Sequence, residues 1–81
     1  MKIEVTYMDI LKGVRKAPAK CPIALAAKRA AGELSQVSVG QVLLTVDGDT
    51  KIMPISAIEF VKRFDRSWWS RLLCRPFSFE W

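Results

Sequence analysis

The chain has 81 residues, a net charge of +5, no histidine, and 51% apolar against 26% charged side chains. That length bounds one small domain with one core and excludes a substrate cleft between two domains. The absence of histidine removes the commonest general base at neutral pH, the Cys-His and Ser-His pairs and most zinc sites, so the expectation is a protein that is not an enzyme.

The opening Met1-Lys2-Ile3-Glu4-Val5 has no apolar signal core, and no apolar run approaches the roughly 20 residues that span a bilayer. A cytoplasmic protein is expected. In that reducing setting Cys21 and Cys74 are expected to stay unlinked.

In chain order, Lys2 to Tyr7 alternates polar Lys2, Glu4 and Thr6 with apolar Ile3, Val5 and Tyr7, the pattern of a strand with one buried face. Met8 to Lys12 adds one helical turn that Gly13 stops, and residues 13–20 form a basic, irregular connection containing Pro18. Cys21-Pro22 then opens a helix, since proline suits a first helical position, and Gly32 marks its end. Ile23, Ala26, Ala27 and Ala30 recur at helical spacing and predict a small-residue face lying close to a sheet.

Val42 to Val46 and Thr50 to Met53 flank Asp47-Gly48, a pair suited to a two-residue turn of positive φ, and predict a hairpin. Val37 and Val39 have the opposite parity to Val42, Leu44 and Val46, so a bulge or break is expected at Gly40. Ser56 and Glu59 are spaced as a capping box, with Ile55 and Phe60 as the flanking staple. Ala57, Phe60, Val61 and Phe64 form the apolar stripe of the helix that follows. Residues 66–74 fit more than one conformation. Phe77, Phe79 and Trp81 alternate with Ser78 and Glu80 as a last strand that closes the core, and with it the expected miniature domain of residues 1–81.

The order of elements predicts an α+β fold, a four-stranded antiparallel sheet with two helices on one face in the β-α-β-β-α-β order of ferredoxin-like proteins, or an irregular variant of it. Four segments together carry a resemblance: the Ile3-Glu4-Val5-Thr6 strand, the Cys21-Pro22-Ile23-Ala24-Leu25-Ala26 helix start, the Phe60-Val61-Lys62-Arg63-Phe64-Asp65 helix end and the closing Pro76-Phe77-Ser78-Phe79-Glu80-Trp81. In these the chain resembles a group of small, uncharacterised accessory proteins of tailed bacteriophages and prophages. The stretch from Asp65 to Pro76, with Trp68, Trp69, Leu72 and Leu73, departs from the shorter and more polar connection of that group. The resemblance implies an accessory protein that acts in the cytoplasm of the host cell and binds a host or defence protein, and no catalytic residue is carried over from it.

Chemistry-bearing residues are few. Cys21 at a helix N-terminus among Lys16, Lys20 and Lys28 is a nucleophile candidate, set against its reading as a small buried cap residue. The acidic residues are scattered, and neither a calcium-loop pattern nor a glycine-rich phosphate cradle occurs, so no metal or cofactor is expected. Positive charge falls in two clusters. The first is Lys12, Arg15, Lys16, Lys20, Lys28 and Arg29; the second is Lys62, Arg63, Arg66, Arg71 and Arg75, interrupted by Asp65. Merged on one side, the first cluster with the second would suit a nucleic acid, although the sheet lacks the stacking aromatics of RNA-binding sheets.

Ser67 to Cys74, as two helical turns, would put Trp68, Trp69, Leu72 and Leu73 on one face. That face either completes the core, anchors a partner, pairs with a second copy, or meets a membrane surface. The favoured expectation is a partner-binding patch of Trp68, Trp69, Leu72, Arg63, Arg66 and Arg71, with a DNA- or RNA-binding module as the alternative and a homodimer as a further possibility.

Overall fold

The computed structural model describes residues 1–66 and 74–81. Strand β1 (Lys2–Val5) buries Ile3 and Val5 and exposes Lys2 and Glu4, as its alternation requires. It ends sooner than expected. The Thr6 hydroxyl accepts from the Asp9 N–H at 3.3 Å while the Asp9 carboxylate accepts from the Thr6 N–H at 2.9 Å, a reciprocal cap that starts helix α1 (Tyr7–Lys12). Tyr7 therefore opens a helix and stands 63% exposed instead of extending the strand.

Beyond Gly13 the connection is fastened by its own hydrogen bonds, Val14 N–H to the Lys20 carbonyl at 2.8 Å and Cys21 N–H to the Ala17 carbonyl at 2.9 Å. Helix α2 (Pro22–Ala31) begins with Pro22 at its first position and ends at Gly32. Ile23, Ala24, Ala26 and Ala27 are its buried side, packed on β1 and α1; Ala30, expected on that side, is exposed. Short side chains let α2 approach β1 closely, and this helix is the middle of the molecule.

Strands β2 (Val37–Val39), β3 (Leu43–Val46) and β4 (Asp49–Ile52) form a three-stranded antiparallel sheet. The expected break at Gly40 separates β2 from β3, and the expected turn joins β3 to β4 through Asp47 (φ 50°) and Gly48 (φ 84°). Two positive φ values in succession define the mirror-image turn whose twist matches paired strands. The Asp47 carboxylate also accepts from the Gln36 N–H at 2.9 Å, tying the turn to the start of β2. Val37, Val39, Leu44 and Val46 face the core; Thr45 and Thr50 face out, with their hydroxyls 2.7 Å apart.

Helix α3 (Ile55–Arg66) buries the expected Ala57, Phe60, Val61 and Phe64. Its start is not the expected one. The Pro54 carbonyl accepts from the N–H groups of Ala57 and Ile58 at 3.0 and 3.1 Å, so the first turn closes before Ser56, which lies inside the helix and forms no capping box with Glu59. Ile55, 73% exposed, staples nothing. Proline's preset φ nucleates the turn two residues ahead of the serine.

Strand β5 (Phe77–Glu80) pairs antiparallel with β1 in the register Lys2↔Glu80 to Val5↔Phe77. Phe60 meets Phe77 at 4.9 Å between ring centroids, and Phe77 meets Phe79 at 5.7 Å, so an aromatic row joins α3 to this strand. The class is α+β, but the single four-stranded sheet is replaced by two sheets, β1-β5 and β2-β3-β4. Strand β1 is paired with β5 alone, β3 is paired on both sides, and the outward N–H of Val39 on β2 donates to the Pro18 carbonyl at 2.9 Å, so the basic connection takes up part of one edge of the three-stranded sheet. α2 packs against strands of both sheets. Lys51 of β4 reaches across to the Trp81 ring, its ammonium 4.5 Å from the centroid.

Candidate functional site

The first basic cluster and the second meet at one point. Lys16, held at φ 59° in the connection, donates its backbone N–H to the Asp65 carboxylate near the end of α3 at 3.1 Å. Asp65 is the acidic residue that interrupts the second cluster, and this bond turns its carboxylate toward the connection, with Lys62 and Arg66 exposed on either side in sequence.

Beneath this contact lies a cleft of about 470 Å³ between the connection, the end of β2 and α3. Ile23, Val39, Phe60, Val61 and Phe64 line it with apolar surface; Lys16, Gln41 and Asp65 bring polar groups to its rim. Its volume falls in the range of small-ligand and peptide-anchor sites. A shallower groove of about 340 Å³ on the other flank of Phe60 sets Arg63 and Arg75 beside Pro76 and Phe77. Sequence reasoning missed Val39, Gln41 and Asp65 as lining residues. The signal for Asp65 was its isolation in a cationic run; Val39 and Gln41 carried none.

Lys12, Arg15, Lys16, Lys20 and Lys28 of the expected nucleic-acid set are exposed, and their side chains enter no ion pair among the described residues. Arg29 differs. Its guanidinium holds both oxygens of Asp9 at 2.8 Å and the Glu4 carbonyl at 2.7 Å, which makes it a strut between α2 and the turn after β1 instead of a free cation. Lys28 lies in the last turn of α2, about 10 Å along the helix from Cys21. The two clusters thus touch through the Lys16–Asp65 bond, while Arg63 and Arg75 line the groove on the other flank of Phe60 and Arg29 is taken up by Asp9. Of the expected partner-binding patch, Arg63 and Arg66 are exposed on the last turn of α3; Trp68, Trp69, Arg71 and Leu72 lie outside the described residues.

Cys21 borders the cleft at the N-terminus of α2 but is 8% exposed. Burial pushes its thiol pKa up, against the hydrogen bonds of the Ala24 and Ile23 backbone, so the helix end does not yield a thiolate. Cys74 is also free and buried, and burial raises its thiol despite the Arg63 charge. Among the described residues no group of three or more acidic or cysteine side chains is placed to hold a metal ion, and no helix is long and apolar enough to cross a membrane. The chain matches no protein-family model, no curated protein and no solved structure.

Proposed function

We propose that this chain is a non-enzymatic binding protein that occupies the surface of a protein partner, seating an apolar side chain of that partner in the cleft while the surrounding cations meet acidic groups. The observation that carries this reading is an apolar cleft with Lys16 and Asp65 at its rim, near exposed basic side chains in the connection and α3 that enter no ion pair among the described residues. Exposed positive charge near an apolar site steers and orients an acidic partner, and the apolar contact holds it. The buried, protonated thiol of Cys21 favours binding over nucleophilic chemistry. The phage-accessory resemblance makes a host or defence protein the partner class. Arg63 and Arg66 belong to the proposed contact surface, and Trp68, Trp69, Leu72 and Arg71 join it on their residue types alone.

The test is capture from a bacterial lysate by the tagged protein, identified by mass spectrometry and repeated with Lys16→Glu/Arg66→Glu and with Trp68→Ala/Trp69→Ala. A protein retained by the wild type and lost from both variants, with their circular dichroism unchanged, is the expected result. Wild-type retention on a nucleic-acid column that collapses as salt rises would favour the rival nucleic-acid module instead. Unfolding of the tryptophan double variant would assign those indoles to the core.

A further inference from the structure

Strand β4 is an edge, and its backbone says which groups that edge offers. Across the two-residue turn Val46 faces Asp49 and exchanges both backbone hydrogen bonds with it; the Met53 N–H bond to the Val42 carbonyl, 2.9 Å, continues the same alternation. Thr50 and Ile52 therefore direct their N–H and C=O groups away from β3. Both residues are exposed, and no hydrogen bond ties their outward backbone groups to the described residues. At the opposite edge of the sheet the outward Val39 N–H is taken by the Pro18 carbonyl; among the described residues this edge is open.

We infer that β4 is a self-pairing edge, joining antiparallel to β4 of a second copy with Thr50 opposite Thr50 and making one six-stranded sheet. The charges select this register. With Thr50 on the two-fold axis, Asp49 stands directly opposite Lys51 of the other copy, twice by symmetry, at the more closely spaced non-hydrogen-bonded positions. A slip that pairs Thr50 with Ile52 puts Lys51 against Lys51, like charges face to face. A further slip that pairs Ile52 with Ile52 sets Thr50 against Pro54, which has no N–H to give.

An edge lysine ordinarily deters such pairing; Asp49 two residues before it makes this edge its own complement. On the outer face the Thr45–Thr50 hydroxyl pair, 2.7 Å apart, extends into a row of four threonines across the joint. Ile52, 69% exposed, and Leu43, 45% exposed, lie on that same face.

The experiment is sedimentation equilibrium from about 10 µM to about 1 mM chain, spanning weak association. Hydrogen exchange at the Thr50 and Ile52 amides is read over the same series. A monomer–dimer equilibrium whose dimer protects those two amides is expected. Lys51→Glu, which faces Asp49 with a like charge at two places, is expected to weaken association roughly tenfold, and Asp49→Lys/Lys51→Glu to restore it. Thr50→Pro removes an outward N–H without touching the β3–β4 ladder and should abolish the dimer. A chain monomeric at every concentration, or a dimer in which the Thr50 and Ile52 amides exchange as fast as in the monomer, overturns the inference. So does a dimer indifferent to Lys51→Glu and Thr50→Pro.

Discussion

Asp9 and Arg29 form a two-pronged pair, guanidinium to carboxylate at 2.8 Å on both oxygens, with the carboxylate buried and the arginine half exposed. The same carboxylate caps α1 through the Thr6 N–H, and the same guanidinium reaches the Glu4 carbonyl, so one pair ties together β1, α1 and α2. Bidentate geometry makes such pairs stronger and more specific than a lysine contact. Asp9→Ala, which also removes the cap of α1, is expected to cost about 2–4 kcal/mol in urea unfolding, and Arg29→Ala a similar amount, since it leaves a buried carboxylate with fewer partners. The double variant should lose less than the sum, which a double-mutant cycle measures directly.

Acid should expose the same pair. Burial pushes the Asp9 carboxyl up, but the hydrogen bonds from Arg29 and from the Thr6 backbone outweigh it and hold the group below its ordinary value. Between the folded and unfolded pKa values the unfolded chain binds more protons. The stability from Asp9 is therefore complete above the unfolded value of about 4 and drains away as pH falls through the folded one. Unfolding free energy measured by urea titration from neutral pH downward should show this acid limb. Arg29→Ala should flatten it.

Much of this scaffold is legible one element at a time. The alternation of Ile3 with Val5 and of Phe77 with Phe79, the Pro22 start, the break at Gly40, the Asp47-Gly48 turn and the Ala57-to-Phe64 stripe are all local patterns, and local patterns are fixed by backbone chemistry. What escaped were choices among competitors. Thr6 and Asp9 cap a helix where alternation favoured more strand, and Pro54 outran Ser56 as the start of α3. Which strands pair, β1 with β5 and β2 with β3 and β4, and that Pro18 meets the Val39 N–H, are matters of segments distant in sequence that no periodicity records. Arg29 shows the same limit at the candidate site, because a cation and its carboxylate twenty positions away look free until the turn between them is known.

Two glycines should fail for opposite reasons. A Cβ at Gly13 would lie 2.5 and 2.6 Å from the Pro22 ring carbons and 2.8 Å from the Asp9 carbonyl, although its φ of −65° suits any residue. At Gly48 the added carbon meets nothing within 4 Å, but φ is 84°. Gly13→Ala is expected to cost about 1–3 kcal/mol through overpacking of the α2 start. Gly48→Ala should cost about 1–2 kcal/mol through backbone strain alone. Asn, which tolerates positive φ, should recover part of the loss at position 48 and none at 13; thermal unfolding of the four variants separates the two mechanisms.

Thiol chemistry provides a last check on how the cleft is built. Cys21 is 8% exposed and Cys74 5%, and both thiols are raised by burial, so at neutral pH each is protonated and shielded. A disulfide-exchange reagent should therefore modify neither quickly in the native protein and both at once in denaturant, with the native rate following local opening. Phe64→Ala, which empties the wall beside Cys21, should cost about 3–5 kcal/mol and speed labelling of Cys21 by opening the cleft floor. Rapid labelling of Cys21 in the wild type, insensitive to Phe64, would mean that the α2 N-terminus does generate a thiolate, and the case for binding without covalent chemistry would have to be made again.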